Sequence, residues 1–237
     1  MDIETMHIAV KLELDKSSAL ELPAFEPEEI DLWLNNAIRK FVKTRYSGMN
    51  SKGQSFEQSQ KRTDDLRTLY KQVTILPESY DSSHMANSYI FKLPVEDSGE
   101  GGEDYWLTIM EQVSHSAISG LSGITECTLD EYPQKVADPF SEHHLHYGDA
   151  KPLRIYGVTN GSDEVWLASD GNYTINEYHL AYLRKPATVD NIPAGTTDCD
   201  LPEHTHDEIV KLAVSMMLEN IEQPRYQTYQ NELNTIE

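Results

Sequence analysis

The sequence predicts an α+β fold: N-terminal helices, a strand-rich antiparallel middle, a closing C-terminal helix, and extended arms at both ends. Three observations carry this. Ile30, Trp33, Leu34, Ala37, Ile38 and Phe41 recur at helical spacing over about 27–46. From about residue 72 the apolar period falls to two. Ile209, Leu212, Ala213, Met216, Met217 and Ile221 then restore the helical period. Helices and strands that come in separate runs, without alternating, read as α+β. The organisation expected is an N-terminal arm over 1–26, a single α+β domain over 27–222 with its strand-rich part at about 72–185, and a C-terminal tail over 223–237.

In the arm, Met6, Ala9, Val10 and Leu14 sit at helical spacing, while Ile8, Val10, Leu12 and Leu14 alternate as a strand would. Both patterns fit, and a short helix is favoured. Leu20, Leu22 and Phe25 follow as an extended apolar clasp. An arm of this kind does not fold alone and needs its own core or a neighbouring subunit. The helix of 27–46 begins at Pro27, which suits a first turn, and Glu28, Glu29 and Asp31 favour the positive end of its dipole. Arg39, Lys40, Lys43 and Arg45 gather in its second half, and Gly48 ends it. A second helix is expected over 54–71, with a narrow face of Phe56, Leu66, Leu69 and Tyr70.

Strands are expected at 73–76, 88–93 and 105–118, the last with Tyr105, Leu107, Ile109 and Val113 on one face. A strand at 124–132 would pair with it through a turn at 120–123. One helical turn is expected at 132–137. A second hairpin, 153–158 with 165–168, turns at Asn160-Gly161, and a long strand fills 174–184. Asp200 reads as the cap of the closing helix, with Pro202 in its first turn and Glu203 completing a capping box.

Charge narrows the function. Lys and Arg number 19 against 40 Asp and Glu, a formal net charge of -21. That excess disfavours binding to phosphate backbones and anionic membranes and favours basic partner surfaces. No apolar run is long enough to span a bilayer, and no secretory leader is recognisable. Cys127 and Cys199 read as reduced, partly buried thiols, and no CxxC pair supports a zinc site.

Histidine is the one residue type that suggests catalysis. His143, His144 and His146 cluster beside Asp138, Glu142 and Asp149, and His204 and His206 beside Asp207 and Glu208. A metal hydrolase needs ligands converging on one ion with a position left open. The first cluster lies in a loop where nothing in the pattern fixes the rings. Residues two apart on a helix diverge by about 200°, which separates His204 from His206. Exposed or interfacial histidines are the preferred reading. The G-x-S-x-G, P-loop and H-E-x-x-H patterns are absent from the sequence. The glycines at 99–102 sit among acids at a hairpin tip, and Asp130 and Glu131 would face opposite sides of a strand. No catalytic, cofactor-binding or metal residue is assigned. Lys40, Lys43, Arg45, Lys52, Lys61, Arg62, Arg67 and Lys71 read as solvated helix faces rather than a DNA surface. The abundance of tyrosine fits interfaces and strands equally.

Four stretches carry a resemblance: HIAVKLELDK at 7–16 with LELPAFEPEEI at 20–30, FVKTRY at 41–46 with QKRTDDL at 60–66, DPF at 138–140 leading to PLRIY at 152–156, and residues 182–209. In wording and order the chain resembles the neck ring (head-to-tail connector) proteins of crAss-like tailed bacteriophages. The resemblance implies a structural virion protein, made in the host cytoplasm, that forms a ring in the neck between portal and tail. It implies twelve copies, contacts with the portal protein and other neck and tail proteins, and DNA passing through the channel without specific binding. No cofactor and no membrane partner are expected. Ile8, Val10, Leu12, Leu20, Leu22, Tyr226 and Tyr229 are the residues expected to make assembly contacts, with the hairpin tips near 96–104 and 159–163 exposed. The alternatives are a metal-dependent hydrolase using the histidine cluster and a non-catalytic adaptor that binds through the helix of 27–46.

Overall fold

The computed structural model describes residues 1–18, 25–48, 57, 59–81, 87–95, 104–146, 148–156, 164–192 and 195–220. The chain divides into two compact units. One joins the two ends of the chain, Met1–Leu69 and Pro186–Glu237; the other is the continuous stretch Tyr70–Lys185. The strand-rich part forms a unit of its own, and the N-terminal arm belongs to the helical one.

The helical unit is built from α1 (Ile3–Ser18), α2 (Pro27–Ser47), α3 (Gln60–Leu66) and α5 (His206–Asn220), with the short hairpin β10 (Asp190–Ile192) and β11 (Gly195–Thr197). The arm is a helix: Ile3, Met6, Val10 and Leu14 are buried at helical spacing, while Ile8 and Leu12 are exposed, which rules out the strand pattern. The Asp2 carboxylate accepts from Thr5 N and starts the helix. α2 follows expectation. The Glu29 carboxylate accepts from Glu26 N ahead of Pro27, and Gly48 takes a left-handed φ of 69° at the other end. Its buried face, Ile30 to Val42, meets α1 and α5. Burying each such aliphatic side chain contributes about 1.5–3 kcal/mol.

Polar side chains register these elements. His7 of α1 bonds Asp31 of α2 at 2.7 Å, and the other Asp31 oxygen accepts from Asn191 N in β10. The Asn35 side chain both donates to Val189 O and accepts from Val189 N, each at 2.9 Å. Two expectations are corrected here. α3 is only seven residues long, capped by the Ser59 hydroxyl, and it passes through a 3-10 turn, Arg67–Leu69, so Tyr70 opens a strand and does not lie on a helix face. Asp200 does not cap α5. Its carboxylate accepts from Ala187 N, and a 3-10 turn over Glu203–Thr205 leads into the helix.

The second unit stacks two sheets. One, in strand order, is β1 (Tyr70–Ile75), β9 (Ile175–Arg184), β4 (Tyr105–His115) and β5 (Leu121–Gly123). The other is β2 (Ser79–Asp81), β3 (Ser88–Lys92), β8 (Glu164–Ala168), β7 (Leu153–Tyr156) and β6 (Thr125–Thr128). Phe91, Val113, Val165, Leu167, Tyr178, Leu180 and Tyr182 fill the space between them, with the Phe91 and Tyr178 rings 5.4 Å apart. Trp166 and Ala168 alternate to the far face of the second sheet, where they meet Cys127, Leu153, Ile155 and Tyr132 of α4 (Tyr132–Ala137). Gly171, with φ 85°, lies where a Cβ would come within 2.7 Å of the Asn87 side chain.

The hairpin expected between 105–118 and 124–132 is corrected. Of the segment after the turn, β5 pairs with β4, whose other neighbour is β9; the chain then leaves, and β6 runs parallel to β7 in the other sheet. A parallel neighbour needs a long crossover, and residues 129–152, including α4, supply it. Register breaks between Tyr105/Leu107 and Thr108/Met110 interrupt the alternation expected of β4, so Val113 is fully buried while Tyr105, Leu107 and Ile109 are half-buried. Phe56, the glycine-rich tip, Asn160-Gly161, Ile221 and the tail of 223–237 lie outside the described residues.

Candidate functional site

The histidine loop follows α4. His143 is buried and its Nδ1 shares a hydrogen bond with Ser141 Oγ at 2.9 Å. His146 Nε2 donates to Pro139 O at 3.1 Å. The His144 ring lies against His143 at a tilt of 41°, ring centroids 3.9 Å apart, and its Nδ1 lies 3.7 Å from Asp170. Tyr173 closes the loop by donating to His143 O, and Asp170 accepts from Leu145 N and Asn172 N. The rings that the sequence left unfixed are therefore held, but by the protein's own groups. Burial and the neighbouring His144 keep the His143 imidazole below its usual range, that is, neutral. Among the described residues, no group of three or more His, Cys, Asp or Glu is arranged to hold a metal ion.

The second pair separates as its spacing requires. His204 reaches Asp65 at 3.0 Å, whereas His206 is buried and donates to Leu201 O at 2.9 Å. Asp65 and Glu208 also hold Arg45: the Arg45 Nε lies 3.1 Å from Asp65, its Nη2 meets Glu208, and Lys61 joins Glu208 at 3.3 Å. Sequence reasoning missed that Arg45 is an internal tie, buried like Arg62. The available signal was its place four residues after Phe41, on the apolar face of α2. Of the other cations in that group, Lys40, Lys43, Lys61 and Arg67 are exposed, Lys71 is half-buried, and Lys52 lies outside the described residues. Both thiols are free. Desolvation raises Cys127 and pushes Cys199 up to about 11, which makes each a poor nucleophile.

The residues expected to make assembly contacts fall into three groups. Val10 is fully buried in the helical unit. Ile8 and Leu12, one helical turn apart on α1, are exposed by 53% and 57%. Leu20, Leu22, Tyr226 and Tyr229 lie outside the described residues. No described helix is long and apolar enough to cross a membrane. The polar clusters are thus internal ties, and apolar side chains stand on the surface, an arrangement suited to a structural protein that works by contact.

Comparison with known families gives the particular one. The family model for phage tail ring protein 3/4 of the crAss group matches residues 2–228. The chain belongs to that family of ring proteins and is a structural component of a phage virion. No curated protein matches it.

Proposed function

We propose that the chain is one subunit of a ring in the phage neck, between portal and tail, joining head to tail around the DNA channel. Twelve copies form the ring. The portal protein binds one side and other neck and tail proteins the other. The DNA slides through without specific binding, since a wall with net charge -21 per subunit repels phosphate within a Debye length of about 8 Å. The observation that carries this reading is the family match across nearly the whole chain. Ile8 and Leu12 support it, because a helix whose buried side is already complete keeps two large apolar side chains in water.

Sedimentation velocity on the purified chain is the test. The expected result is a defined oligomer, with binding to purified portal protein. Ile8→Ser with Leu12→Ser weakens that association about tenfold or more while leaving the melting curve in place. A chain that stays monomeric and ignores portal protein overturns the reading.

A further inference from the structure

A second surface stands out on and beside α4. The helix rests on its sheet through Tyr132, and Lys135 turns back to donate to Glu126 O. Its other side exposes Pro133, Val136 and Ala137 at spacing i, i+3, i+4. Phe140 follows, 88% exposed, and Leu129 precedes, 50% exposed. Phe140 is fixed as well as exposed: its backbone N–H donates to Asp138 Oδ1 at 2.9 Å, and Ser141 N donates to Asp138 O. Asp130, Glu131 and Asp138 are exposed around these side chains. The surface is an aromatic knob on an apolar strip with an acidic rim.

The C-terminal half of the outer face of α2 carries the opposite charge. Leu32, 58% exposed, lies on one helix face with Glu28, Glu29, Asn36, Arg39, Lys40 and Lys43; the three exposed cations follow Leu32 and the two exposed acids precede it. We propose that the α4 surface of one copy docks on the outer face of α2 in the next copy, Phe140 against Leu32 and the acidic rim against Arg39, Lys40 and Lys43. The occupant is a second copy because the charges are complementary within one chain. A closed ring also requires two different, matching patches on every subunit. Elsewhere a net charge of -21 sets copies against one another. This contact rests on the ring reading above and adds the surfaces that would build it.

The test uses the full chain and two variants, Phe140→Ser and Lys40→Glu/Lys43→Glu, all at exposed positions. Each alone should weaken self-association about tenfold or more by sedimentation velocity, with the melting curve of Phe140→Ser unchanged. Mixed together, they should form pairs that stop growing, since each variant keeps the surface the other lacks. Wild-type assembly by Phe140→Ser overturns the contact and leaves the ring reading standing. So does a Lys40→Glu/Lys43→Glu chain that assembles normally while Phe140→Ser fails; the knob then docks on another surface or another virion protein. A wild-type chain that is monomeric removes the ring reading, and this contact with it.

Discussion

The two units bury charge in opposite ways. In the strand unit, Arg154 of β7 pairs with Glu111 of β4, and the Tyr178 phenol donates to the same carboxylate at 2.5 Å. The three groups lie between the sheets, nearly closed to solvent; desolvation, then the Glu111 charge, pushes the phenol far above its usual range. In the helical unit, Arg45 meets Asp65 of α3 and Glu208 of α5, with Lys61 and His204 at the exposed margin. In the first network both members of the ion pair are nearly enclosed. The second has water and two spare partners at its edge. What a buried charge is worth therefore depends on what replaces its partner, more than on how many partners it has.

The largest effect should come from Arg154→Met, which leaves the Glu111 carboxylate enclosed beside the Tyr178 phenol. Removing one member of a buried pair costs about 3–5 kcal/mol. Urea unfolding reads this through Trp106 and Trp166, both in the strand unit, once Trp33→Phe has silenced the helical one. Adding Glu111→Gln should restore part of the loss, because the uncompensated charge is gone. A cost under about 1 kcal/mol would mean that water already reaches the pair, and the contrast between the units would collapse.

Arg45→Met should cost less, about 1.5–3 kcal/mol, the range for hydrogen-bonded charges that keep other partners. Asp65 retains His204, and Glu208 retains Lys61. Trp33 on α2 reports this unfolding. Adding His204→Ala to Arg45→Met should sharpen the comparison, since Asp65 then loses both partners and the helical unit comes to resemble the strand unit. A loss from Arg45→Met alone that equals the Arg154→Met loss would break the comparison.

The contrast also separates what the sequence made legible from what it did not. α2 is written locally, by Pro27 at one end, Gly48 at the other and an apolar stripe between them, so its bounds follow from the chain alone. The strands β3, β8 and β9 are similar, since alternation and turn residues are near-neighbour signals. Sheet membership is not local: nothing within 124–132 says that β6 pairs with β7 and not β4. The bulges of β4 are set by its partner β9. Arg45 looks like its neighbour Lys43 until Glu208, 163 residues away, is brought beside it. At the surface, Ile8 and Leu12 could be told from Val10 only once helix had been decided over strand. Phe140 was visible as part of an Asp-Pro-Phe turn, but its exposure depends on how α4 lies on the sheet.

The smallest effect concerns acid, and it should fall on the strand unit. His143 is buried there, and desolvation first, then His144 and His146, hold its pKa below the usual 6.5, against the opposing pull of Asp170. In the unfolded chain the same imidazole takes up its proton near 6.5. As pH falls below that value, the unfolded state binds the proton first, so the stability present above 6.5 is progressively lost on the way down to the folded pKa. One proton limits the slope to about 1.4 kcal/mol per pH unit. His143→Gln stays neutral and keeps a hydrogen-bonding group for Ser141, so it should flatten the slope between pH 6.5 and the acid limit of the fold. The reporters are again Trp106 and Trp166 in the Trp33→Phe background. If wild type and His143→Gln lose stability in parallel across that window, the acid response belongs to other groups, and the buried imidazole is only a packing element of the loop.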